Sequence, residues 1–210
     1  LVRQNFTKSD LGRKKGEAIK ERILQIQPDS KVIWYDEFLN EGNVSHLKDM
    51  ELILDATDNL ETRYLINRYS YKNNIPWIYS AAIDSYVSSA AFIPGKTPCF
   101  ECVYGSLSED NEESCSLDGV LITTLLEAVS KQINLAVRLL SGNEIKTEIN
   151  HTNTWEQNVS TLDFSSLQDD DCFSCNKKEV QIIPIVRITC RGQGKDIRLE
   201  KTDELESKIS

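Results

Sequence analysis

The sequence predicts an α/β fold built on a mainly parallel sheet, and two observations lead there. Short apolar runs that suit strands alternate with stretches of helical periodicity between residues 9 and 93. One of those runs, Leu52, Ile53 and Leu54, is continuously apolar, as in a strand covered on both faces, and passes at once into Asp58 and Asn59, good starters for a helix.

The elements follow in order. Ala18, Ile19, Ile23 and Ile26 recur at helical spacing and predict a helix over 9–27, with Thr7 or Ser9 as its cap and Pro28 closing it. Residues 31–35 read as a short strand and 51–55 as a second. A helix carrying Leu65, Ile66 and Tyr69 runs from Asp58 and Asn59 until Asn73, Asn74 and Pro76 break it. Residues 77–81 and 86–93 are strand candidates joined by a turn at Asp84 and Ser85. The clearest element is a long amphipathic helix over 119–141. Leu121, Leu125, Ala128, Val129, Leu135, Ala136, Leu139 and Leu140 form one broad face, which a role in the core explains, and Gly142 is the stop. Residues 150–171 are polar and acidic and read as a loop; 180–189 and 196–199 suit a terminal β pair. No internal repeat is evident.

Composition narrows the function. The chain has 210 residues, with 24 Lys and Arg against 33 Asp and Glu, for a net charge of −9; 40% of its residues are apolar and 27% charged. This is an ordinary globular balance, sufficient for one sizeable domain or one plus an appendage. Its apolar runs are too short or too interrupted to span a bilayer, and its acidity argues against nucleic acid as a partner. Residue 1 is Leu and the only Met is Met50, so a fragment or processed product is expected; no secretory signal is visible.

Six cysteines stand at 99, 102, 115, 172, 175 and 190. Four of them form two Cys-x-x-Cys knuckles, Cys99 with Cys102 and Cys172 with Cys175, 69 residues apart. Each pair can clasp one edge of a tetrahedral Zn²⁺, and four sulfurs leave no open position for water, so the expected zinc is structural. It would tether the segment after residue 150 to the sheet. Two disulfides, a redox Cys-x-x-Cys and buried unpaired thiols are the rival readings. Cys115 lies in an acidic stretch just before the long helix. Neighbouring carboxylates would raise its pKa and a helix N-terminus would lower it, so its reactivity stays open. Cys190 offers less to argue from.

Residues 1–22 carry Arg3, Lys8, Arg13, Lys14, Lys15, Lys20 and Arg22 against Asp10, Glu17 and Glu21, a local balance of +4 in an acidic chain. The island suits a polyanionic ligand such as a nucleoside triphosphate, or is simply a solvated helix face. Asp58, beyond the strand at 51–55, stands where open α/β sheets bind ligands; it could hold Mg²⁺ against phosphate oxygens or serve as an N-cap. Neither a Gly-x-Gly-x-x-Gly nor a Walker A sequence occurs.

Together these segments resemble the ThiF/MoeB/HesA family, bacterial relatives of ubiquitin-activating enzymes. Leu1-Val2-Arg3-Gln4 with Asp10-Leu11-Gly12-Arg13-Lys14-Lys15 is similar to its "NLxRQ…DvGxpKa" segment, and Leu52 to Asn59, with Arg63 and Asn67, to "lvlDxTDNxxtRxxiN". Pro98-Cys99-Phe100-Glu101-Cys102 resembles "PCyrC", and Ser114 to Val120 "tCxxaGV". The likeness covers about residues 1–175, in order.

The resemblance implies a Rossmann-like domain that uses ATP and Mg²⁺ to adenylate the C-terminal Gly carboxylate of a ubiquitin-like sulfur carrier, in the cytoplasm and as a homodimer. By position, Arg3 and Lys15 would contact the triphosphate, and Asp58 would hold Mg²⁺ with Asn59 beside it in the nucleotide site. Cys99, Cys102, Cys172 and Cys175 match the zinc ligands, and Cys115 matches a loop cysteine that some members use for a thioester or persulfide. The Gly-rich βαβ part that precedes "NLxRQ" in the family is absent from the sequence, so the chain alone is expected to bind ATP poorly. Lys14 stands where Pro is usual and Gly16 where Ala or an apolar residue is usual, departures expected to loosen the start of the helix bearing Lys15. Residues 1–175 are read as a partial adenylation domain and 176–210 as an extension. In that extension Ile188-Thr189-Cys190-Arg191-Gly192 and Ile197-Arg198-Leu199 resemble the tail of Gram-positive ThiF-like proteins, which favours the thiamine pathway over the molybdopterin one. A zinc-braced binding half that uses no ATP, and a zinc-bearing redox protein, are the readings from other classes.

Overall fold

The computed structural model describes residues 5–105 and 119–175. Arg3, Cys115, Cys190 and the β pair expected over 180–199 lie outside the described residues.

Five strands form one mixed sheet in the order β1-β2-β3-β4-β5: β1 (Ile53–Leu54), β2 (Trp77–Ile83), β3 (Tyr86–Phe92), β4 (Glu148–Asn153) and β5 (Asn158–Asp163). β1 runs parallel to β2, and the other three pairings are antiparallel. The parallel step is the β1-α2-β2 unit, in which α2 (Leu60–Asn73) carries the chain back across one face. Asn59 caps this helix, its side-chain oxygen accepting the Thr62 N–H at 2.8 Å, and Asn74 ends it in the left-handed conformation at φ 55°.

The core lies between the sheet and α2. Trp77 stacks on Phe92 with ring centroids 5.0 Å apart, and Phe100, Phe164, Ile53 and Ile66 pack in the same cluster. Trp77, Phe92, Phe100 and Phe164 are fully buried, and truncating one such ring to Ala costs about 3–5 kcal/mol. The opposite face, at Ile78 and Ala91, is covered by α4 (Ile122–Leu140) through Ala136 and Leu135.

Several elements differ from expectation. The first helix divides: Thr7 and Asp10 close a capping box on a 3₁₀ turn (Lys8–Asp10), and α1 (Lys15–Ile26) starts only after Gly12, at φ 82°. Ile19, Ile23 and Ile26 stay exposed, while Ala18 is buried. Residues 31–35 alternate in exposure as a strand does but form none, because no described segment pairs with them. The strand expected over 51–55 shortens to two residues and is covered on one face, with Ile53 buried and Leu54 exposed. The polar stretch from 150 is a hairpin of β4 and β5, turning at Gln157 with φ 56°; only Ile149 and Thr152 of it are buried, which left little apolar signal to read. A short α3 (Phe100–Tyr104) completes the described α-helices.

Candidate functional site

The end of β1 is held by a buried polar lock. Asp55, 1% exposed, accepts the Thr57 N–H at 2.8 Å and the Thr57 hydroxyl at 2.6 Å on one carboxylate oxygen, and Arg63 Nε–H at 2.9 Å on the other. Arg63 also donates to the Thr57 carbonyl at 2.6 Å and lies 5.1 Å above the Tyr79 ring. From the other face, Gln132 of α4 donates to the carbonyls of Asp55 at 2.6 Å and Ile78 at 3.1 Å. A buried carboxylate is tolerated because it is paired and hydrogen-bonded on both oxygens. The loop it shapes leads into α2.

Asn59 takes the cap of α2, which leaves the exposed Asp58 carboxylate outside the helix; its Oδ1 lies 3.4 Å from Asn59 Nδ2. Of the two roles considered for Asp58, the N-cap therefore belongs to its neighbour. Asp58 stands at a strand's carboxyl end beside a helix N-terminus, a position that suits a cation-bridged anion.

Lys15 opens α1 and is exposed. Its neighbours are engaged locally, Arg13 with Glu21 at 2.7 Å and Glu17 at 3.4 Å, and Lys14 with Asp36 at 3.3 Å. Gly16 has a steric reason: a Cβ there would stand 2.1 Å from the indole nitrogen of Trp34, so the helix docks on residue 34 through the bare backbone. No hydrogen bond or ion pair among the described residues joins Lys15 to Asp58.

The four knuckle cysteines do come together, their sulfurs all within 4.8 Å of one another. Cys99 lies 3.7 Å from Cys102 and 3.5 Å from Cys172, and Cys102 lies 3.4 Å from Cys175. These are not disulfides. A tetrahedron with metal–sulfur bonds of about 2.3 Å has edges of about 3.8 Å, so the cage fits a four-thiolate metal. Burial pushes the Cys99 thiol well up and the Cys175 thiol up to about 12. At Cys102 burial acts the same way, but backbone hydrogen bonds to Asp169 and Cys99 outweigh it and its pKa falls. A metal entering the cage must therefore displace thiol protons.

One face of α2 holds the first knuckle. Asn67, fully buried, accepts the Phe100 N–H at 2.9 Å, and its side chain partly offsets the burial that pushes the Cys99 thiol up. Arg68 pairs with Glu101 at 2.6 Å, and Tyr71 donates its hydroxyl to the Thr97 and Pro98 carbonyls, 2.9 Å from each. Tyr64 reaches the Gly105 carbonyl at 3.0 Å. The spacing 64, 67, 68, 71 is one stripe of a helix. α2 thus links Asp58 at its start to the cysteine cage along its length. Asp55 and Gln132 carried no role in the sequence reading; the usable signal was an ionisable group ending an apolar run and an amide among the apolar positions of a long helix.

The ThiF family model matches residues 1–175. The chain is 30% identical over 179 residues to the sulfur carrier protein ThiS adenylyltransferase of Bacillus subtilis (strain 168), covering 84% of this chain and 53% of that protein. It is 25% identical over 141 residues to a probable molybdopterin-synthase adenylyltransferase of Gracilaria tenuistipitata var. liui, covering 65% of this chain and 39% of the relative. Among solved structures, Escherichia coli MccB with succinimide aligns with a TM-score of 0.71 at 17% identity, over 83% of this chain and 55% of that one, a likeness of fold. The chain spans about half the length of the Bacillus relative, and less of the other.

Proposed function

The chain belongs to the ThiF family, and from that premise we propose that it is part of an enzyme that adenylates the C-terminal Gly carboxylate of a ubiquitin-like sulfur carrier, for the thiazole of thiamine. One observation carries the reading: the Asp55–Thr57–Arg63 lock presents Asp58, uncommitted to the helix cap, at the strand end where α/β sheets bind nucleotides. The name of the Bacillus relative supports the carrier.

In this reading residues 1–175 form the adenylation domain and 176–210 an extension, and the protein works in the cytoplasm. Arg3 and Lys15 lie along the triphosphate and neutralise charge that builds as pyrophosphate departs. Asp58 would hold Mg²⁺ with Asn59 beside it, and the ion would draw charge from the phosphate oxygens. A carrier carboxylate oxygen bonds to the α-phosphorus, the bond from that phosphorus to the bridging oxygen breaks, and pyrophosphate leaves with the electron pair. Positioning supplies most of the acceleration. Cys99, Cys102, Cys172 and Cys175 would hold zinc through four thiolates, and the ion would serve as a structural brace. Cys115 is the candidate thiol for a later step, in which its thiolate attacks the acyl carbon, expels AMP and leaves a thioester.

The likeness to a probable molybdopterin-synthase adenylyltransferase keeps the molybdopterin carrier as the second reading. Carrier-dependent ATP–pyrophosphate exchange by the full-length enzyme of which this chain is part, run with each purified carrier, decides. Exchange with the thiamine carrier is expected; exchange with the molybdopterin carrier alone transfers the assignment, and none with either leaves only a binding half.

A further inference from the structure

The hydrogen-bond ladder between β1 and β2 stops one step early. It includes the Ile53 N–H donating to the Pro76 carbonyl and the Asp55 N–H donating to the Ile78 carbonyl, each at 3.0 Å. In the parallel register of Ile53 with Trp77 and Leu54 with Ile78, the next bond would bring the Ser80 N–H to the Asp55 carbonyl. β1 ends at Leu54 instead, and α4 takes that carbonyl. The amide nitrogen of Gln132 donates to it at 2.6 Å and to the Ile78 carbonyl at 3.1 Å, a task for the NH₂ end of the amide, whose two hydrogens serve one carbonyl each. Gln132 is 7% exposed and shares the buried row of α4 with Thr124, Ala128 and Ala136. An amide is costly in such a row unless it is used. The Asp55 carbonyl does not require it for want of a partner, because Ser80 stands in register with a backbone donor.

We propose that Gln132 is a positioning residue for the loop that carries Asp58: it ends the ladder, turns the main chain away from β2 at Asp55, and holds it there from the α4 side. The role rests on the reading of Asp58 as part of an adenylation site. In open α/β sheets the ligand sits beyond the carboxyl ends of the strands, where neighbouring strands part, and Gln132 makes β1 part from β2 just before the Asp58 loop. Its hold is separate from that of Arg63. Arg63 grips the Asp55 carboxylate and the Thr57 carbonyl, whereas Gln132 grips the Asp55 carbonyl, so side chain and main chain are fixed by different helices. Without the amide, the Asp55 carbonyl passes to the Ser80 N–H and β1 lengthens by one step. The buried carbonyl keeps a donor and the fold survives, but the loop over 56–59 shifts and takes Asp58 with it. A glutamine that merely satisfied the core would fail differently, through stability.

Deuterium uptake by the full-length enzyme tests the hold, and its ATP–pyrophosphate exchange tests the use of that hold. Gln132→Met, an isostere without a donor, should fold with unchanged zinc content and take up deuterium across 55–59 at least about tenfold faster, while the magnesium concentration for half-maximal exchange rises by a similar factor. Ser80→Ala removes a neighbouring bond between the sheet and α4, from Ser80 Oγ to the Ala128 carbonyl at 3.2 Å, and should change neither. Gln132→Glu decides if the methionine variant misfolds. Its carboxyl donates only when protonated, so both readouts, taken relative to wild type, should recover as pH falls from about 8 to about 6. Wild-type uptake across 55–59, an unchanged magnesium requirement despite faster uptake, an equal effect of Ser80→Ala, or a glutamate variant indifferent to pH would overturn the proposal. A wild type without exchange would overturn the adenylation reading instead, and the uptake arm would still decide whether Gln132 holds the loop.

Discussion

At Asp55 a fully buried carboxylate meets a guanidinium, and the fork of Arg63 does two things an ammonium cannot: its Nε–H binds Asp55 while its terminal nitrogen binds the Thr57 carbonyl. Arg63→Lys keeps the charge and loses one of those bonds. Denaturant unfolding should show a loss of about 1–3 kcal/mol, and exchange activity should fall at least about tenfold through misplacement of Asp58. Unchanged activity would separate the lock from the site. Asn67 acts on the cage in a comparable way, since its amide oxygen takes the Phe100 N–H just inside the first knuckle. Asn67→Ala should lower zinc affinity by about 10- to 100-fold, measured by competition with a chromogenic chelator. The Asn67 role was not readable beforehand, because a hydrogen bond across 33 residues leaves no local pattern.

Among the elements, those that carry their own signals were legible. The cap at Asn59, the stop at Gly142 and the turn at Asp84 are local chemistry, and the structure has all three. Strands were harder. Residues 31–35 have the alternation of a strand without a described neighbour to pair with, and the β4–β5 hairpin is polar, with β5 exposed throughout and only Ile149 and Thr152 of β4 buried, so composition pointed to a loop. α1 shows how a departure from a family pattern acquires a cause. Gly16, expected to loosen the helix, instead admits the Trp34 ring. Gly16→Ala should therefore displace that ring and change the tryptophan emission, although Ala is the better helix former. The same change made in a Trp34→Ala background should be neutral or stabilising; an identical cost in both would show that the contact is incidental.

For the whole molecule, the paired cysteines were the most legible long-range feature, because two knuckles in a chain of this size have few other uses. The structure gathers all four from segments 69 residues apart and sets them against the stripe of α2 whose first turn follows Asp58. The opposite face of the sheet presents a helix with an uncovered apolar row, two of whose residues, Val129 and Leu140, periodicity had assigned to the core. The central claim is that Lys15 and Asp58, which share no direct contact in this structure, act on one triphosphate. A double-mutant cycle on carrier-dependent ATP–pyrophosphate exchange by the full-length enzyme tests it most directly, using wild type, Lys15→Ala, Asp58→Ala and the pair. Groups that serve one transition state are grossly non-additive, so the double variant should be slowed far less than the product of the two single losses. Losses that multiply, or an Asp58→Ala variant with wild-type exchange, would contradict the account.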